Sequence, residues 1–105
     1  MSCVYVSMSR LRVEAEHADD LVRAFRNRMR LVDSAEGFLG LEVWRSDRDR
    51  QEIVMVSRWR DRGCFKAYMK SEAHRLSHDR IPAELDAAIK LQRLDHLHTY
   101  EVVAE

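Results

Sequence analysis

A chain of 105 residues has room for one domain, and its 18 basic and 18 acidic side chains cancel to a formal net charge of zero. Arg58, Arg60 and Arg62 cluster in sequence, but no long basic stripe interleaved with aromatics accompanies them, so nucleic acid is not an expected partner. No segment approaches the ~20 apolar residues of a membrane span and the N-terminus lacks a signal-peptide pattern. Cys3 and Cys64 match neither CxxC nor zinc spacing, so a cytoplasmic protein with reduced thiols and no membrane partner is expected.

Residues 4–13, VYVSMSRLRV, read as a first strand, with Val4, Val6 and Met8 on one face and Tyr5, Ser7, Ser9, Leu11 and Val13 on the other. Asp19 and Asp20 then place negative charge where the first turn of a helix favours it. Leu21, Val22, Phe25, Met29 and Val32 recur at helical spacing, which predicts an amphipathic helix to about Val32 with a core-facing stripe. Asp33 to Gly37 supplies a turn. Phe38 to Arg45 predicts a second strand, in which Gly37 and Gly40 either weaken pairing or admit a close approach. Ser46 to Gln51 is a polar hairpin loop with no Asn-Gly or Asp-Gly pair, which leaves its turn type open.

Ile53 to Trp59 is rich in β-branched and aromatic residues and predicts a third strand, followed at Asp61 by a residue able to cap a helix. Cys64, Phe65, Tyr68 and Met69 fall at helical spacing. Ser71-Glu72 offers a second cap, so the helix is expected to break before His74 and His78, which stand one turn apart. Pro82 disfavours helix at the residue before it, which predicts an end near Arg80. Ala83 to Leu94 reads as a short helix, and His96 to Val103 as a last strand.

This order is β-α-β-β-α-(α)-β, the ferredoxin-like α+β plan: an antiparallel sheet with its helices on one face, over residues 1–105 as one domain. The bare face of four such strands measures about 450 Å². Because the strands are apolar on both sides of the pleat at Val4-Tyr5-Val6, Leu39, Leu41, Val43, Trp44 and Ile53 to Val56, both faces are expected to be covered. A second copy packed sheet on sheet is the simplest cover.

Trp59, Phe65, Tyr68, Ser71 and His78, preceded by Gly37-Phe38-Leu39-Gly40, resemble the antibiotic biosynthesis monooxygenase superfamily and, within it, the small haem-degrading monooxygenases. The resemblance covers nearly the whole chain. It implies a dimeric α+β barrel, haem as both cofactor and substrate, O₂, and electrons from a separate reductase. It places His78 where the family keeps the proximal histidine on the haem iron. Tyr68 falls where the family has a Trp that presses on the porphyrin, and Ser9 where it has a distal Asn that hydrogen-bonds the activated oxygen.

Each site residue also has a plainer reading. His78 suits a helix C-terminus, where a cation is favoured; Tyr68 suits a core with its hydroxyl satisfied; a strand Ser is a common small polar residue. In one straight helix Tyr68 and His78 would lie about 15 Å apart along the axis and about 80° apart around it, so they share a pocket only if its ligand is broad or the helix breaks. His74, His78, His96 and His98 allow a four-histidine metal site on paper. Two further functions stay open: a cofactor-independent monooxygenase of quinols or polycyclic phenols, and a non-catalytic dimeric module that binds a small aromatic ligand.

Overall fold

The computed structural model describes residues 3–27, 31–79 and 93–105, with the backbone alone for 77–79 and 93–96. The elements are β1 (Tyr5–Arg12), α1 (Ala15–Arg26), a 3-10 turn (Leu31–Ser34), β2 (Phe38–Arg45), β3 (Glu52–Trp59), α2 (Arg62–Met69), α3 (Glu72–Asp79) and β4 (Arg93–Glu101). The four strands form one antiparallel sheet in the order β2-β3-β1-β4, the ferredoxin-like plan.

Alternation along β1 falls as the sequence implies. Tyr5 pairs with Trp59, Ser7 with Ser57, Ser9 with Met55 and Leu11 with Ile53. Across β3, β2 adds Leu41, Val43 and Arg45 to this face, after a bulge between Phe38 and Gly40. The face carries two packed clusters. At one end Leu11, Val13 and Ile53 meet Ala18 and Leu21 of α1; at the other Tyr5 and Trp59 meet Phe65 of α2 and Val32 of the 3-10 turn. Between them lie Ser7, Ser9, Met55 and Ser57, of which Ser7 is buried and the others half-buried.

The opposite face carries Val6, Met8, Val54 and Val56, flanked by Trp44 of β2 and Tyr100 of β4. Trp44 is 43% and Tyr100 51% exposed in the single chain, whereas Val56 is buried.

Three elements differ from expectation. The first helix starts at Ala15, because Ala15, Glu16 and Ala18 are good helix formers and Ala18 is buried; Asp19 and Asp20 therefore sit in its second turn. It ends at Arg26, where the Asn27 amide donates to the Arg23 carbonyl at 3.0 Å, and Val32 is buried from a separate 3-10 turn. The predicted helix over 83–94 lies outside the described residues except at its end. There Arg93 and Leu94 belong to β4, since pairing of Arg93 with Leu11 and of Asp95 with Arg10 extends the last strand by three residues at its start.

The hairpin loop is closed by its own polar side chains. Ser46 Oγ accepts from the amides of Arg48 and Asp49 at 3.2 and 3.1 Å, and Asp49 Oδ1 accepts from Gln51 at 3.1 Å. The two glycines divide. Gly37 has φ 77° and a Cβ there would lie 2.6 Å from Cys64 Sγ, whereas a Cβ on Gly40 meets nothing within 4 Å. Only Gly37 serves a close approach.

Candidate functional site

The strand-to-helix passage after β3 is fixed by Asp61. Its backbone is extended (φ −159°, ψ 171°) and its Oδ1 accepts from the Cys64 amide at 2.9 Å, capping α2. That backbone hydrogen bond, with a second contribution from the Cys64 side chain, holds the Asp61 carboxyl below its ordinary range. Desolvation, then Asp61, push the Cys64 thiol up, and Cys64 packs against the cluster of Tyr5, Val32, Trp59 and Phe65.

Ser71 ends α2 and starts α3 with one hydroxyl. Its Oγ donates to the Tyr68 carbonyl at 2.6 Å and accepts from the His74 amide at 3.2 Å. The expected break is therefore present, and α3 is a helix of its own. His78 lies in α3 one turn beyond His74; its side chain is outside the described residues.

Tyr68 belongs to an aromatic stack. Its ring centroid is 5.3 Å from that of Trp59 at 31°, and 5.4 Å from that of His74 at 74°. Trp59 in turn meets Phe38 and Phe65 edge-on and is 1% exposed, with its indole nitrogen donating to Ser57 Oγ at 2.9 Å. At about 25 cal/mol per Å² over about 200 Å², burying this indole contributes about 5 kcal/mol before the cost of ordering. The stack fixes where Tyr68 sits. His74 is thus a half-buried packing partner of Tyr68 rather than an exposed surface histidine.

Ser9 is half-buried on the helix-facing side, opposite Met55. It stands four residues along β1 from Tyr5, about 14 Å from the stack at about 3.4 Å per residue. No direct Ser9 to Tyr68 contact is expected at that separation; a ligand touching both must be broad. The four-histidine site does not assemble, because His98 pairs beside Met8 on the far face of the sheet from His74.

A cleft of ≈ 640 Å³ opens between α1 and the sheet on the face that holds Ser9. Val22 and Phe25 of α1 form one wall, and Leu41, Val43 and Ile53 form the floor. Arg26 and Arg50, both exposed, and Arg45, half-buried, complete the lining beside Trp44. Val43 pairs with Met55, and Met55 with Ser9, so Ser9 lies two strands, about 10 Å, from Val43 and one strand from Ile53. Sequence reasoning singled out none of these arginines. A signal was present: Leu41, Val43 and Arg45 share one face of β2, so a cation occupies the third place of an apolar row.

Comparison with known proteins follows the same lines. The sequence profile of the antibiotic biosynthesis monooxygenase family matches residues 4–80. A haem-degrading monooxygenase of Listeria welshimeri is 29% identical over 79 residues, 67% of this chain and 65% of the relative. The chain thus matches less than two thirds of that relative's length. Among solved structures, the Mycobacterium tuberculosis haem degrader MhuD, with two haems bound in its active site, superposes with TM-score 0.75 at 20% identity over 97% of both chains. SnoaB, a cofactor-independent oxygenase of Streptomyces nogalater, superposes with TM-score 0.73 at 10% identity, covering 99% of this chain and 97% of its own. Both structures share the fold. With the profile covering most of its length, this chain belongs to the antibiotic biosynthesis monooxygenase family.

Proposed function

We propose that this protein binds haem between its helices and one sheet face and degrades it with O₂ and electrons from a separate reductase, as a homodimer. The observation that carries the reading is the break at Ser71, which frees the His78 helix from the line of the Tyr68 helix. A single straight helix would set the two residues far apart; two helices joined by a hydroxyl hinge can address one broad ligand.

The ≈ 640 Å³ cleft on the helix-facing side has room for a broad ligand; among the described residues neither Ser9 nor Tyr68 lines it, though Ser9 lies on the same face. When bound, haem supplies oxygen activation at its iron and is the molecule attacked. The chain's own residues do the rest. The His78 imidazole would hold the haem iron. Tyr68, clamped between Trp59 and His74, offers a phenol ring of fixed position where the resembled family has an indole, and so presses less on a macrocycle. Ser9, on the same sheet face two strands from Val43, offers a hydroxyl with a shorter reach than an Asn. The walls of Val22 and Phe25 keep bulk water from the ligand.

The partner is argued from the sheet's other face. Val6, Met8, Val54, Trp44 and Tyr100 present partly exposed apolar surface that a second sheet would cover, beside Arg10, Glu42, Glu52 and Arg58 on the same face.

Titration of the purified protein with haem, followed by absorption, tests the reading. A saturable Soret shift, then loss of the Soret band when a reductant and O₂ are supplied, is expected. No shift with haem, together with O₂ consumption on a quinol, would replace it with the cofactor-independent activity; neither response would leave a binding module.

A further inference from the structure

The cleft sets apolar side chains beside three guanidinium groups, and no carboxylate is among the described residues that line it. Arg45 is the most constrained of them. Its side chain is 21% exposed, one Nη pairs with Asp19 at 3.1 Å, and its buried Nε has no hydrogen-bond partner among the described residues. Asp19 is itself 83% exposed, so water screens that pair and it neutralises Arg45 weakly. A buried, unmade N–H bond is unfavourable, and a planar guanidinium edge matches the two oxygens of a carboxylate.

We propose that Arg45, flanked by Arg26 and Arg50, forms an anion subsite that recognises a carboxylate carried by the flat apolar ligand of this cleft. The proposal rests on reading the cleft as the ligand site, and it restricts that ligand to organic acids. Phe25, Leu41 and Val43 take the apolar body, and the carboxylate lies at the arginine-lined end.

The test uses an iron-free probe. Binding of 1-pyrenebutyrate and of neutral 1-pyrenebutanol is followed by fluorescence anisotropy with wild type, Arg45→Gln, Arg50→Gln and Asp19→Asn, each checked for an unchanged fold by circular dichroism. Wild type should bind the acid about tenfold more tightly than the alcohol, the scale of one charge-assisted hydrogen bond. Arg45→Gln should abolish that preference while leaving the affinity for the alcohol within about twofold, and Arg50→Gln should reduce it. Asp19→Asn should tighten binding of the acid severalfold by releasing the Arg45 guanidinium; a purely structural Arg45–Asp19 pair would give no such gain. Equal affinities for acid and alcohol in wild type, a preference that survives Arg45→Gln, or no binding of either probe would overturn the proposal. A parallel haem titration separates the two readings: a Soret shift without an acid preference retains haem and removes the subsite, and an acid preference without a Soret shift does the reverse.

Discussion

Single residues carry the connection between the third strand and the helices. Gly37 sits at φ 77° with Cys64 Sγ in the space of a Cβ, so Gly37→Ala should destabilise by about 1–3 kcal/mol through backbone strain and overlap. Gly40→Ala, with nothing near its added Cβ, should stay within about 0.5 kcal/mol; paired urea titrations measure both. Asp61 gives the fold a pH dependence of definite sign. Its folded pKa lies below the ordinary 3.8, so its stabilisation is complete above that value and is lost as pH falls through the folded one. Melting temperatures of wild type and Asp61→Asn should therefore differ at neutral pH and converge in acid. Divergence on acidification would contradict the cap as the source.

At the scale of elements, the break at Ser71 matters most for the site. Ser71→Ala removes the acceptor for the His74 amide and should cost about 1 kcal/mol, read as a lower midpoint in thermal unfolding. Where local chemistry decides, the sequence was legible: Asp61 and Ser71 are cap residues at the ends of apolar periodic runs, and the structure uses both as caps. The second strand was read to its observed bounds, and the third to within one residue at its start. Legibility failed where pairing or packing in three dimensions decides. Arg93 and Leu94 join β4 because β1 offers them partners, which no local periodicity announces. His74 packs on Tyr68, a contact created by the turn at Ser71 that helical spacing alone does not show. The arginine end of the cleft needed α1, β2 and the hairpin together, so only Arg45, a cation in an apolar row, left a trace in the sequence.

For the whole molecule, the sheet divides two roles. Leu41 and Met55, apolar strand residues suited to either face, prove to lie on the helix-facing side, so a charge there tests folding. Val6 and Val54 lie on the other side and test assembly. Sedimentation equilibrium should give about twice 12.4 kDa for wild type, while Val6→Asp should shift the protein to monomer with its helices intact, since an unpaired buried charge costs several kcal/mol. A folded monomeric wild type would sink the sheet-on-sheet dimer. The central claim is haem held through His78, and it is tested most directly by the haem absorption spectra of wild type, His78→Ala and His74→Ala. His78→Ala should lose the wild-type Soret position and spin state even where apolar burial still retains haem. His74→Ala, which loosens the Tyr68 ring but removes no ligand, should keep the position with a smaller perturbation. A His78→Ala spectrum identical to wild type, or a larger change in His74→Ala, would contradict the account.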